Sequence, residues 1–227
     1  MSFSDRIQKF QQLLNTHPAF NLVELTGAIL LFLKGMTGWI LNTPKLLIYV
    51  WFWIRLRGIG WQGVGLLKPS DWKKVLLLSV SIGMVFLLYN AYFLEPLFIK
   101  ISGDLPDLNS LKSLMGNIED LIMLILGSWI FGAFGEEIIY QGYLLNLLAR
   151  TLGQKPVSWI LAVIISSIFY GFAHSGDDLS VKLMSMIHGL VFASLYFYTE
   201  RNLWCPILAH GIHDTFKYSM VYLNIYP

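Results

Sequence analysis

Apolar residues in this chain come in long runs rather than in alternation, over residues 75–99, 121–148, 157–174, 181–198 and 203–222. At about 1.5 Å rise per residue, roughly 20 such residues cross the hydrocarbon layer as a helix, whereas a membrane β-barrel shows alternating segments of about ten. The pattern therefore predicts an all-α, polytopic transmembrane helical bundle. Upstream, residues 20–54 are mostly apolar but interrupted at Lys34-Gly35, Asn42 and Pro44, which fits two short spans or one span plus a re-entrant segment. The expected total is about 6–8 helices in the membrane. Residues 1–19 read differently: Phe3, Ile7, Phe10 and Leu14 recur at helical spacing, while Asp5, Arg6, Lys9, Gln11 and Gln12 mark the other face. That predicts an amphipathic helix at the membrane surface, or docked on the bundle, and not a secretory signal. Residues 20–227 read as a single transmembrane domain, with its polar chemistry confined to about 121–222.

Composition agrees. Hydrophobic residues make up 56% and charged residues 13% of the chain, with a mean hydropathy of +0.59, too apolar for a surface that must be solvated. The net charge of +2 is dispersed, and no basic face with interleaved aromatics points to a nucleic-acid partner. Cys205 is the only cysteine, so neither an internal disulfide nor a thiolate zinc cluster can form, and it reads as a packing residue. Arg55, Arg57, Lys68, Lys73 and Lys74 around a glycine-rich loop predict a cytoplasmic connection, as do Arg150 and Lys155 further on. The acidic stretch with Asp104, Asp107, Glu119 and Asp120 falls on the opposite side, and Asp177 and Asp178 mark another loop. Trp51, Trp53, Trp61 and Trp72 read as interfacial anchors.

Against this background three polar elements inside apolar runs stand out. The first is Glu136-Glu137-Ile138-Ile139-Tyr140-Gln141-Gly142. Carboxylates at mid-membrane cost on the order of 2.5–3.5 kcal/mol each, so an adjacent pair there faces partners or a wet cavity. Glu137 and Gln141, four apart, share a face on which the amide can bond a carboxylate, while Glu136 points about 100° away toward a different partner. The second element is Tyr170-Gly171-Phe172-Ala173-His174, and the third is His210-Gly211-Ile212-His213-Asp214, with Asp214 one turn beyond His210. Two carboxylates, two histidines and an orienting group are the inventory for amide hydrolysis by a glutamate-activated water. A serine triad is poorly supported: there is no Gly-x-Ser-x-Gly elbow beside Ser128 or Ser175. Nor is there a His-Glu-x-x-His zinc pattern. His188 and His213 read as structural, His188 through a bond to a neighbouring backbone carbonyl.

In order and spacing, the three elements resemble the EExxxR, FxxxH and HxxxN/D motifs of the CPBP family, the CAAX prenyl endopeptidase and bacteriocin-processing (Abi) group of intramembrane proteases. The resemblance covers about residues 131–216 and includes Gly142, Gly171 and the approach Leu203-Trp204-Cys205-Pro206-Ile207-Leu208. It implies an intramembrane endopeptidase acting on a membrane-associated peptide or protein, with Glu136 as water-activating base and Glu137, His174, His210 and Asp214 completing the centre. Tyr170 stands where the family usually has phenylalanine. Gln141 replaces the usual arginine and supplies hydrogen bonds without charge. Glu136, His174 and His210 would also serve as a three-ligand site for a divalent metal such as zinc, an option the spacing leaves open beside metal-free catalysis. The expected setting is a multi-pass protein of a cell membrane, bacterial in type, with the lipid bilayer and a peptide substrate as partners. The rival reading is a non-catalytic membrane protein, either a proton-linked carrier or an immunity factor that binds a toxic peptide. One difficulty is depth. With every loop at the surface, His174 lies at one end of its span and His210 only about two turns from the other end. A tilted helix, a buried turn at 153–156 or a re-entrant element would reconcile them.

Overall fold

The computed structural model describes residues 2–34, 39–102, 111, 114–174 and 179–227, and among these the chain is helical with no strand. In chain order the helices are α1 (Phe3–Thr16), α2 (Pro18–Lys34), α3 (Trp39–Arg57), α4 (Trp72–Tyr89), α5 (Glu95–Ser102), α6 (Ile118–Gly127), α7 (Leu145–Thr151), α8 (Pro156–Ala173), α9 (Leu179–Tyr198) and α10 (Trp204–Tyr222). Wide π-turns at Asn90–Leu94 join α4 to α5, and others at Ser128–Glu136 and Ile138–Leu144 join α6 to α7. The break expected at Gly35, the acidic residues Asp104 and Asp107, Ser175, and the loop with Asp177 and Asp178 lie outside the described residues.

Among the described residues four helical rods are long and apolar enough to cross a membrane: Trp72–Ile101, Ile118–Thr151, Pro156–Ala173 and Leu179–Tyr198. The pair α1–α2, bent by 77°, would make a fifth. The helix expected at 203–222 is present as α10 but falls short of that apolarity, because His210, His213, Asp214 and Lys217 lie along it. Pro44 does not break α3. It sits near the start of the helix, where its fixed φ fits and its missing N–H forfeits a single bond.

The rod Ile118–Thr151 is the centre of the bundle. Its second half contributes Ile138, Tyr140, Tyr143, Leu145 and Leu147 to one continuous core with Val50 and Ile54 of α3, Ala162 of α8 and Tyr196 of α9. Outward-facing positions such as Leu77, Met123 and Val157 are apolar and exposed, the inverse of a soluble surface and suited to lipid contact. Glycines bring the helices close where the site forms. A methyl group on Gly171 would lie 2.5 Å from the Lys182 carbonyl oxygen, and one on Gly83 would lie 2.7 Å from that of Ala209. Small residues at such crossings allow α8 to meet α9 and α4 to meet α10 backbone to backbone.

The connection between α3 and α4, and not the exposed turn at 153–156, folds into the bundle beneath the start of α10. After Arg57 the chain dips inward through a single 3₁₀ turn, Trp61–Val64, and the Gly65 carbonyl accepts a 2.9 Å bond from Leu203 N–H. A methyl on Gly142 would lie 2.6 Å from the Val64 carbonyl oxygen and 2.8 Å from Leu203 Cδ1. Thus α10 begins level with Gly142, recessed into the bundle, and His210 arrives beside the glutamates.

A second polar core was not expected from the sequence. Arg57 is fully buried, not part of a solvated loop, and pairs with the equally buried Glu24 of α2. Its Nε donates to Glu24 Oε2 at 2.7 Å, its Nη1 to the Leu14 carbonyl at 2.5 Å and its Nη2 to Asn21 Oδ1 at 2.8 Å. Tyr143 O–H donates to Glu24 Oε1 at 2.7 Å. This network ties α1, α2 and α3 to the central rod. Trp53, expected as an interfacial anchor, is instead buried with the Arg57 guanidinium 5.8 Å from its ring centroid. Trp51, Trp61 and Trp72 are exposed, as anchors require.

Candidate active site

The central rod presents its two glutamates to two different helices. Glu136 Oε1 lies 3.2 Å from His174 Nε2, at the C-terminal end of α8, and Glu137 Oε1 lies 3.0 Å from His210 Nδ1 on α10. Both carboxylates are buried, and Oε2 of each lacks a hydrogen-bond partner among the described residues. Neighbouring positions on one helix thus address separate partners, as their angular offset requires.

The histidines are oriented from behind. His174 Nδ1–H donates to the Tyr170 carbonyl at 2.8 Å, and the Tyr170 ring stacks on the imidazole with centroids 4.5 Å apart. With Nδ1 committed as a donor, Nε2 faces the Glu136 carboxylate, so one proton must lie between them, on the ring or on the acid. His210 stacks on Phe192 at 4.8 Å and stands between two acids, with Asp214 Oδ2 3.4 Å from its Nε2. That distance exceeds the usual range for a charge-assisted bond, which leaves the Nε2 side available to another acceptor. Gly132 opens space there: a methyl at Gly132 would lie 3.9 Å from both His210 Nε2 and Asp214 Oδ2.

Asp214 is the hub of a network the motifs do not reveal. Ser128 O–H donates to its Oδ2 at 2.5 Å, and His213 Nδ1–H donates to its Oδ1 at 2.9 Å. Asn90, on the π-turn between α4 and α5, donates from Nδ2 to His213 Nε2 at 2.9 Å and to His188 Nε2 at 3.0 Å. His188 Nδ1–H in turn donates to the Met184 carbonyl at 2.8 Å, the structural bond expected of it. His213 differs from expectation. Although it faces away from Asp214 along the helix, its ring swings back to hold that carboxylate. Asn90 carries no motif signal, being one amide in an apolar run. Its position on a π-turn, a feature often found at functional sites, is visible only in the structure.

Gln141 does not reach Glu137. Its Nε2 donates to the Gly189 carbonyl of α9 at 3.4 Å, and its Oε1 is buried without a partner among the described residues. The amide therefore links the central rod to α9 and leaves Glu137 to His210. Ser128 donates its proton to a carboxylate and not to an imidazole, the wrong arrangement for a nucleophile. The metal option fits poorly. Among the described residues no three histidine, cysteine, aspartate or glutamate side chains converge as metal ligands, and His210 Nδ1 is held by the Glu137 carboxylate.

The helical bundle thus brings buried carboxylate–histidine pairs together from three of its rods. Residues 118–216, which hold Glu136, Glu137, His174, His210 and Asp214, match the family model described as type II CAAX prenyl endopeptidase Rce1-like. The match, over less than half of the chain, agrees with the resemblance carried by the motifs, and the long apolar helices make this a multi-pass membrane protein whose residues 118–216 are similar to that family. No curated protein and no solved structure matches the chain.

Proposed function

We propose that the protein hydrolyses a peptide bond of a membrane-associated peptide or protein, with Glu136 as the general base. The observation that carries this reading is the pair of Glu–His contacts, 3.2 Å and 3.0 Å, made by adjacent glutamates to histidines on two other helices. Glu136 Oε2 takes a proton from water, and the water oxygen adds to the scissile carbonyl carbon. The negative charge that develops on the carbonyl oxygen is met by N–H donors at His174 Nε2 and His210 Nε2, the latter turning from its long contact with Asp214. Glu136 then returns the proton to the leaving nitrogen as the C–N bond breaks, giving a carboxylic acid and an amine. Glu137 and Asp214 hold His210 in place from its two sides.

A narrow apolar crevice runs between α2, α3, α8 and the central rod, with Phe32, Tyr140 and Phe169 among its walls. Tyr140 also meets Tyr170 edge-on at 5.0 Å, so the crevice adjoins the Glu136 side of the centre. Apolar walls there suit a substrate that arrives from the lipid phase, and a cell membrane of bacterial type is the setting we assign. The test is cleavage of a membrane-peptide library by the purified protein in proteoliposomes, comparing wild type with Glu136→Gln and His210→Ala. Loss of processing in both variants is expected. Equal processing by all three proteins would overturn the assignment, and acid-driven transport without cleavage would favour a carrier.

A further inference from the structure

On the basic side of the bundle, away from the glutamates, lies a cavity of about 520 Å³, counting its open mouth. Arg150 and Arg201 line it together with Asn146, Gln154 and Trp159, and Val64 and Gly142 form its floor. We propose that this cavity binds a phosphate group, carried by a lipid headgroup or free in solution.

The charge balance points to an anion. Arg150 Nη2 lies 3.7 Å from Glu24 Oε1, but that carboxylate is already paired with the buried Arg57 and accepts the Tyr143 hydroxyl. Among the described residues Arg150 Nε is buried without a hydrogen-bond partner. The Arg201 guanidinium lies 5.1 Å from the centroid of the Trp159 ring, and no described acidic side chain pairs with it within salt-bridge distance. The C-terminal ends of α7 and α9 each contribute about half a negative charge near the mouth, together about half of what the two guanidinium groups bring. A net positive charge at the mouth of a cavity attracts anions, and guanidinium groups match phosphate oxygens with paired N–H donors. Arg201 and its neighbour Glu200 adopt left-handed backbone, with φ of 62° and 56°, at positions where glycine is the usual occupant. From that turn the exposed Arg201 side chain extends over the Trp159 ring at the cavity mouth. Because the floor belongs to the segment that recesses α10, a bound anion would brace the same element that sets the depth of His210.

Isothermal titration of the purified full chain in detergent tests the proposal with three probes at matched ionic strength. These are dihexanoyl phosphatidic acid below its micellar concentration, inorganic phosphate, and uncharged dihexanoylglycerol. Wild type should bind phosphatidic acid and not dihexanoylglycerol, and Arg201→Gln and Arg150→Gln should each weaken binding about tenfold, as loss of a charge-assisted bond requires. Competition by inorganic phosphate would show that the free oxyanion suffices. Binding of the lipid alone would show that the headgroup is recognised on its chain. Should Arg150→Gln fail to fold, Arg201→Gln and Trp159→Leu at the mouth carry the comparison. Absence of wild-type binding to both phosphate probes, or affinity unchanged in the variants, would overturn the proposal.

Discussion

Replacing Glu24 with glutamine keeps the shape of the side chain but strands the Arg57 guanidinium, which has no exposed surface, without its counter-ion. Leu14, Asn15 and Asn21 would still accept its N–H groups. What disappears is the negative charge, and breaking a buried pair from one side typically costs about 3–5 kcal/mol. For a chain of this size that corresponds to a fall in midpoint temperature of roughly 6–20 °C. Arg57→Met should cost less, because the carboxylate left behind keeps Tyr143 at 2.7 Å and can draw on Arg150 at 3.7 Å. The double variant should cost less than the sum of the singles by about 2–3 kcal/mol, since neither charge is then left alone. Denaturant titration in mixed micelles, followed by tryptophan fluorescence, measures all four proteins. Single-variant losses below about 1 kcal/mol that simply add would refute the claim that this pair is a coupled, desolvated tie between the N-terminal helices and the central rod.

Three further outcomes are expected. Asn90→Leu removes the donor shared by His188 and His213, freeing His213 and through it Asp214; kcat should fall about tenfold, the equivalent of one hydrogen bond, with KM little changed. Steady-state cleavage with a circular-dichroism check on folding separates this from general damage. Ser128→Ala should lower kcat less than tenfold, because it deletes a bond to Asp214 and not a nucleophile; abolished turnover together with labelling of Ser128 by a serine-directed phosphonate would contradict the water mechanism. Gly171→Leu places atoms where the Lys182 carbonyl already sits, forcing α8 and α9 apart at a cost of about 1–3 kcal/mol or more. Unfolding midpoints and cleavage should fall together, since His174 lies three residues further along.

The candidate site residues were legible in the sequence because a charge within an apolar run is costly and therefore conspicuous. Glu136, Glu137 and His210 could be singled out on that ground alone, and helical offsets assigned the two glutamates to different partners. The same reasoning applied to Glu24, an isolated acid in an equally apolar helix, and would have pointed to a buried cation. Its partner was hidden because Arg57 sits at a helix end among other basic residues, where a charge ordinarily faces water. Asn90 and Ser128 left no trace, since one amide or hydroxyl in an apolar run has many innocuous explanations. Gln141 shows the limit of spacing: a shared face with Glu137 permits a bond, yet the carbonyl of Gly189 on another helix competes for the amide. The depth of His210 depended on a loop that folds inward, and hydropathy does not distinguish such a loop from one at the surface.

The most direct test of the central claim is single-turnover cleavage of a processed peptide by Glu136→Gln in proteoliposomes, run in ¹⁸O-labelled water beside the wild type. The account predicts one labelled oxygen in the new carboxyl group of the wild-type product and a rate loss of at least about 10²-fold in the variant, the contribution of a positioned general base. A variant that cleaves within a few-fold of wild type would contradict it.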